Sequence, residues 1–102
     1  MKAQRRLVVT PRAQRDIAGI VDWYRQEMGS AAAAKTLRTL RAGLVAATQI
    51  DEAAARRPDL PGGYLRVVAK AHLVIFQIAG DEARIVRVVH GSRDMPGALS
   101  GP

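Results

Sequence analysis

The chain has 102 residues and a mass of 11.0 kDa, so we expect residues 1–102 to form one small domain with an ordered core over about 5–95 and a short C-terminal tail. Apolar residues make up 48% of the sequence and charged residues 25%, which predicts a packed core. Because there is no cysteine and there are only two histidines, we expect no disulfide, no metal site and no cofactor. No segment has the roughly 20 apolar residues of a membrane span, so we predict a cytoplasmic protein.

The charge is strongly positive and unevenly distributed. The net charge is +7, and arginine supplies most of it. Residues 1–50 hold nine Lys and Arg against three Asp and Glu, whereas residues 51–102 hold seven against six. Arginine suits forked contacts with phosphate and carboxylate, so the partner should carry negative charge, as nucleic acid, the ribosome or an acidic protein segment does. Alternatively, the arginines only solvate helices.

The first half of the chain predicts one strand and two helices. Residues 5–10 form a short β-branched run that ends at Pro11, which is typical of an edge or terminal strand. Thr10-Pro11 is a helix start, and the apolar period that follows predicts a helix to about Met28. Gly29 should end this helix and Ser30 should cap the next, which should continue beyond Ile50 and, by a turn or two, through residues 51–57.

The second half predicts strands. Residues 58–63 include two prolines and two glycines, which predicts a loop that connects the helices to the sheet. Three strand-like runs follow at 64–69, 72–79 and 83–90, with short connections that indicate an antiparallel meander. The order is therefore β-α-α-β-β-β. This predicts an α+β fold in which a helical hairpin packs on one face of a mainly antiparallel sheet.

Three segments carry a family likeness, which extends over roughly residues 5–99. They are VTPRAQRDI at 9–17, LRVV at 65–68 with HLVIF at 72–76, and IVRVVHGSRD at 85–94. In this order they resemble the RelE/ParE superfamily of bacterial type II toxins, and the ParE-type branch is the most similar. The resemblance implies a small basic toxin that a cognate acidic, ParD-like antitoxin neutralises in a hetero-oligomer, with operator DNA contacted only through the antitoxin.

The resemblance leaves the target open. ParE-type toxins are regarded as inhibitors of DNA gyrase and contribute to plasmid stabilization, whereas RelE-type relatives cut messenger RNA on the ribosome. Metal-free RNA cleavage needs a proton acceptor, a proton donor and a cation at the phosphate. His90 with Arg87 and Arg93 could supply part of that set, and Arg66 could also contact phosphate. The basic residue expected on the third strand is replaced by Leu73, however, and no tyrosine follows Tyr64.

We therefore expect a gyrase-binding toxin that is not an enzyme. The alternatives are a ribosome-dependent endoribonuclease and a non-toxic partner in an autoregulatory antitoxin complex. Toxicity should depend on the end of the last strand and the tail behind it, and truncation there should cost little folding energy. The expected target-binding residues are Arg87, His90, Arg93 and Asp94.

Several of these polar and aromatic residues also have a structural explanation, and Arg93 with Asp94 could be a local ion pair that fixes the tail. His90 could cap a backbone carbonyl or bridge to Asp94, and His72 could simply mark the edge of a hairpin. Asp16 is explained by the dipole at the start of the first helix. Trp23 lies off the core-facing stripe of that helix and either packs on its surface or binds a partner.

The same ambiguity holds for the basic stripe at Lys35, Arg38 and Arg41, which is either a solvated face or a docking surface for acidic side chains. We expect the antitoxin to bury apolar surface on the helical hairpin and to place its acidic arm against the arginines. The expected antitoxin-binding residues are Arg15, Trp23, Lys35, Arg38 and Arg41.

Overall fold

The computed structural model describes residues 4–55 and 61–91, and it confirms the predicted α+β fold. No helix in these ranges is long and apolar enough to cross a membrane. In chain order the elements are β1 (Arg6–Val9), α1 (Pro11–Met28), α2 (Ser30–Gln49), α3 (Glu52–Ala55), a 3₁₀ turn (Pro61–Gly63), β2 (Leu65–Ala69), β3 (His72–Ala79) and β4 (Glu82–His90).

Helix α1 begins and ends where the sequence predicts. The Thr10 hydroxyl accepts a hydrogen bond from the Ala13 N–H at 3.2 Å, and Pro11 occupies the first helical position. The helix ends at Met28 because Gly29 has a φ of 96°, which L side chains rarely adopt. The prediction that Ser30 caps α2 is wrong. Gly29 flanks both helices, and Ser30 is already the first residue of α2.

The prediction that α2 continues beyond Ile50 is also wrong. The backbone of Ile50 is extended, with φ −68° and ψ 146°, so α2 ends at Gln49. A separate turn of helix, α3, follows, and the Asp51 carboxylate accepts a hydrogen bond from the Ala53 N–H at 2.8 Å. An aspartate at this position favours a new helix start over continuation of the old helix. Residues 56–60 lie outside the described ranges.

The sheet has the strand order β1-β4-β3-β2. As predicted, β2, β3 and β4 form an antiparallel meander, and β1 is an edge strand. The two hairpin turns use Lys70, with φ 56°, and Gly80, with φ 62°, because tight hairpin turns require positive φ. Strand β1 pairs in parallel with β4, which brings the first strand of the chain beside the last.

The helices cover one face of this sheet. Leu40 of α2, Phe76 of β3 and Ile85 of β4 are fully buried between the two layers. A second apolar cluster of Leu73, Ile75 and Val89 belongs to the opposite face, since successive residues of a strand point to opposite sides. The main core therefore sits where the helical hairpin and the sheet meet.

A β-bulge in β4 changes which side chains face the helices. Phe76 pairs with Ile85, but Ile75 pairs with Arg87, so Val86 is an extra residue in β4. Ile85 and Val88 consequently both belong to the helix-side core, although unbroken alternation would place them on opposite faces. The same shift brings His90 to the helix side, directly opposite His72 of β3.

Helix α2 approaches the sheet closely at Gly43. A Cβ atom at this position would lie 3.0 Å from the Ala69 Cβ and 3.2 Å from a Val74 methyl group. Both neighbours are buried in the core, so neither has free space into which it can move. Gly19, in the middle of α1, offers a contrast because a Cβ there meets no atom within 4 Å.

We predict that Gly43→Ala destabilises the fold, whereas Gly19→Ala stabilises it. Both substitutions gain helix propensity, worth up to about 1 kcal/mol. At Gly43 this gain is outweighed by overpacking, which typically costs about 1–3 kcal/mol. Urea unfolding of the two variants measures the difference. Equal stabilisation of both would show that α2 does not need its close approach at Gly43.

Candidate functional site

An open pocket of about 620 Å³ lies between α1 and the end of β4. Gly19, Ile20 and Trp23 line it from the helix, and the segment from Val88 to His90 lines it from the sheet. A smaller pocket of about 230 Å³ lies between α2 and the turn that connects β2 to β3. Tyr24 and His72 line both pockets, so the two concavities adjoin, and we refer to the adjoining pair as the trough.

One wall of the larger pocket is fixed by the Asp16 carboxylate. Its two oxygens accept hydrogen bonds from the Arg87 guanidinium, at 2.8 Å from Nε and 3.2 Å from Nη2. The same carboxylate accepts the Val88 backbone N–H at 3.0 Å. Both side chains are largely buried, with 16% of Asp16 and 11% of Arg87 exposed. The pair is forked and charge-assisted, which is the strong form of such an interaction.

The position of Asp16 follows from the end of β1. That strand pairs with β4 only as far as Ile85, because the chain turns into α1 at Pro11. Thr10 completes this pairing, since its backbone N–H and its hydroxyl both donate to the Ile85 carbonyl. Beyond that point the edge of β4 needs another acceptor, and Asp16 supplies it at Val88. A side chain of α1 thus supplies the hydrogen-bond acceptor that β1 no longer provides at this point of the β4 edge.

Four aromatic rings line the trough in sequence. The ring centroids of Trp23 and Tyr24 are 5.1 Å apart, those of Tyr24 and His72 are 6.0 Å apart, and those of His72 and His90 are 5.5 Å apart. All three contacts are edge-to-face, the arrangement that aromatic pairs favour. Trp23 is 56% exposed and His90 is exposed, whereas His72 is buried. The row therefore runs from an exposed ring through the interior to another exposed ring.

Burial lowers the pKa of His72 below its ordinary value, and the positive charge that His90 can carry lowers it further. His72 is therefore held as the neutral imidazole near neutral pH.

The match to known proteins decides the family. The model of the "ParE toxin of type II toxin-antitoxin system, parDE" matches residues 7–95. The chain belongs to the ParE toxin family. One solved structure with a similar fold is described as the chromosomal ParDE TA system from P. aeruginosa; its TM-score is 0.75 at 22% identity, over 85% of this chain and 96% of that one. No curated protein matches the sequence.

In this ParE-type toxin, the expected target-binding residues have different surroundings. His90 lies exposed at the end of the pocket. Arg87 also lines the pocket, but its guanidinium is bound to Asp16. Arg87 therefore also has a structural role, since this ion pair joins β4 to α1. Arg93 and Asp94 lie outside the described residues, and their role stays a prediction.

The expected antitoxin-binding residues are all exposed on the helical hairpin, but they do not form one cluster. Arg15 and Trp23 line the larger pocket, and Lys35 lines the smaller one. Arg38 and Arg41 lie on α2 outside both pockets. Arg66 lies on β2, away from the trough.

Sequence reasoning missed the part that Asp16 plays. The helix-dipole explanation is wrong, because Asp16 is the sixth residue of α1 and the first turn of this helix has no acidic residue. Asp16 instead bonds to β4. Gly19 was also missed, although a glycine in the middle of a regular helical period is a signal that the sequence contains.

We predict that Asp16→Asn strongly destabilises the toxin. The substitution removes the Asp16 counter-charge from the largely buried Arg87 guanidinium, and the loss of one partner of a buried ion pair typically costs about 3–5 kcal/mol. Asp22→Asn is the matched control on the same helix. Asp22 is 56% exposed and lies 3.6 Å from an Arg25 nitrogen, so its loss should change stability by less than about 1 kcal/mol. Chemical denaturation measures both, and similar small losses would mean that the Asp16 pair does not hold β4.

We also predict that stability falls as the pH drops below about 6.5, the ordinary histidine pKa. Because the folded-state pKa of His72 is lowered, the unfolded chain binds protons first, and the contribution of His72 to stability declines from that pH down to its folded-state pKa. His72→Gln should flatten this part of the unfolding profile between pH 7.5 and 5.5. His90→Gln should preserve most of it, since burial is the larger cause of the shift. An unchanged profile in His72→Gln would contradict the prediction.

Proposed function

We propose that this ParE-type toxin inhibits DNA gyrase by binding it, without catalysing a reaction itself. Family membership is the observation that carries the proposal. The described part of the site supports it, because the Arg87 guanidinium, one of the cations that the nuclease alternative would place at the phosphate, is already bound to the Asp16 carboxylate. A phosphorane transition state needs a cation whose charge is available to the phosphate.

The histidines support the same choice. His72 is buried, and its lowered pKa disfavours the protonated form that a general acid needs. Within residues 4–55 and 61–91, His90 is therefore the one exposed histidine that lines the pocket. A surface contact needs no second acid–base group, whereas cleavage does.

The purified toxin should inhibit gyrase supercoiling of relaxed plasmid and leave ribosome-bound messenger RNA intact. His90→Ala should weaken gyrase inhibition if this end of β4 contacts the target. Codon-positioned cuts in translated messenger RNA that disappear in His90→Ala would instead assign the toxin to the ribosome-dependent nucleases. A chain that folds but does not arrest growth when expressed alone would favour the non-toxic antitoxin partner.

The proposed function includes a cognate acidic antitoxin in the cytoplasm that binds the helical hairpin. This surface exposes apolar groups, with Trp23 at 56%, Met28 at 64% and Val45 at 47%. On the described chain, the side chains of Lys35 and Arg38 take part in no ion pair or hydrogen bond. A surface with exposed apolar side chains beside unpaired cations suits an acidic, disordered segment of the antitoxin that folds as it binds.

Charge reversal of Lys35, Arg38 and Arg41 together should slow association with the antitoxin and reduce its salt dependence, because complementary charge accelerates encounter. Stopped-flow mixing at several salt concentrations measures this. Arg38→Glu alone can be compared with Arg84→Glu, an equal charge change at an exposed position of β4. Equal rates for these two variants would show that the stripe on α2 is only solvated.

A further inference from the structure

The trough formed by the two adjoining pockets has the charge of a site for an anion. Arg15 lies at one end, and Lys35 and Lys70 line the smaller pocket at the other. All three are exposed, and their side chains make no ion pair or hydrogen bond within the described ranges. Among the described lining residues Asp16 is the one carboxylate, and Arg87 already binds it.

The larger pocket has an aromatic lining that suits a flat ring. Trp23, Tyr24 and His90 line it, with the buried ring of His72 packed between Tyr24 and His90. Gly19 adds room, since a Cβ atom at this lining position would meet no heavy atom within 4 Å. A glycine in a helix interior destabilises the helix relative to alanine, so this open space has a cost to the fold.

We propose that the trough binds single-stranded nucleic acid, with one unstacked base in the larger pocket and phosphates near Arg15, Lys35 and Lys70. Cations that track a backbone beside aromatic rings that stack on bases are the two parts of such sites. A purely acidic peptide, with no apolar or aromatic side chain, would use the cations but would leave the exposed ring of Trp23 without a stacking partner. The proposal extends the proposed function, because a toxin that acts on a gyrase–DNA complex would then contact the DNA as well.

The test uses the full chain without gyrase and a fluorescein-labelled oligothymidylate of about twelve nucleotides. Anisotropy should report binding, and the affinity should fall steeply with salt. Trp23 is the one tryptophan of the chain, so quenching of its emission reports contact in the trough. The same-sequence duplex and a decaglutamate peptide should bind at least tenfold more weakly.

Two pairs of variants locate the binding. Gly19→Leu should fill the pocket and weaken binding tenfold or more, and Gly19→Ala should weaken it less. Arg15→Gln with Lys35→Gln should reduce the slope of log affinity against log salt by about 1.4, since each phosphate contact contributes about 0.7 for a single strand. Arg38→Gln with Arg41→Gln removes equal charge outside the trough and should leave that slope nearly unchanged. Unfolding measurements on each variant verify that it is folded.

Three results would overturn the proposal. They are binding without quenching of Trp23, equal effects of the two double variants, or decaglutamate binding as tight as that of the oligonucleotide. The last result would assign the trough to an acidic protein segment. Supercoiling inhibition is measured separately, so a toxin that inhibits gyrase but does not bind the oligonucleotide refutes this inference alone. Oligonucleotide binding without gyrase inhibition refutes only the proposed target.

Discussion

The carboxylate of Asp16 is the point at which the helical layer, the edge of the sheet and the candidate site meet. It neutralises the buried Arg87 side chain, and it also accepts the Val88 N–H at the edge of β4 where β1 no longer pairs. Removal of one partner from a partly buried ion pair costs more than removal of one partner from an exposed pair, because the remaining charge is poorly solvated. The end of β4 is therefore held to α1 by this carboxylate as well as by apolar packing.

The bulge at Val86 and the pair at Asp16 act together to build the pocket. The bulge sets the face on which the last residues of β4 lie, and Asp16 holds that segment against α1. Gly19 then leaves space beside the wall. Bulges and helix-interior glycines weaken regular structure, so their occurrence around one concavity fits the rule that sites concentrate departures from ideal structure.

The order of elements was predictable because each boundary has a local signal, such as the proline that starts α1 and the glycine that ends it. The bulge was not, since no residue type marks it and it depends on the register between β3 and β4. The ends of α2 and the role of Asp16 were missed for related reasons. The end of α2 depends on whether the helix continues or a new helix is capped at Asp51. The role of Asp16 depends on contacts with Arg87 and Val88, which lie 71 and 72 positions further along the chain. Local reasoning proposed Arg87 as a site residue but did not predict the Asp16 carboxylate that holds its guanidinium.

The parallel pairing of the first strand with the last has a consequence for synthesis. Thr10 bonds to Ile85 across 75 positions, so β1 can have no strand partner until β4 has emerged from the ribosome. The helical hairpin, by contrast, is made of local contacts and can form early. The surface proposed for the antitoxin would thus be available on the nascent chain before the pocket is complete, which would let neutralisation begin before the toxin has its active shape.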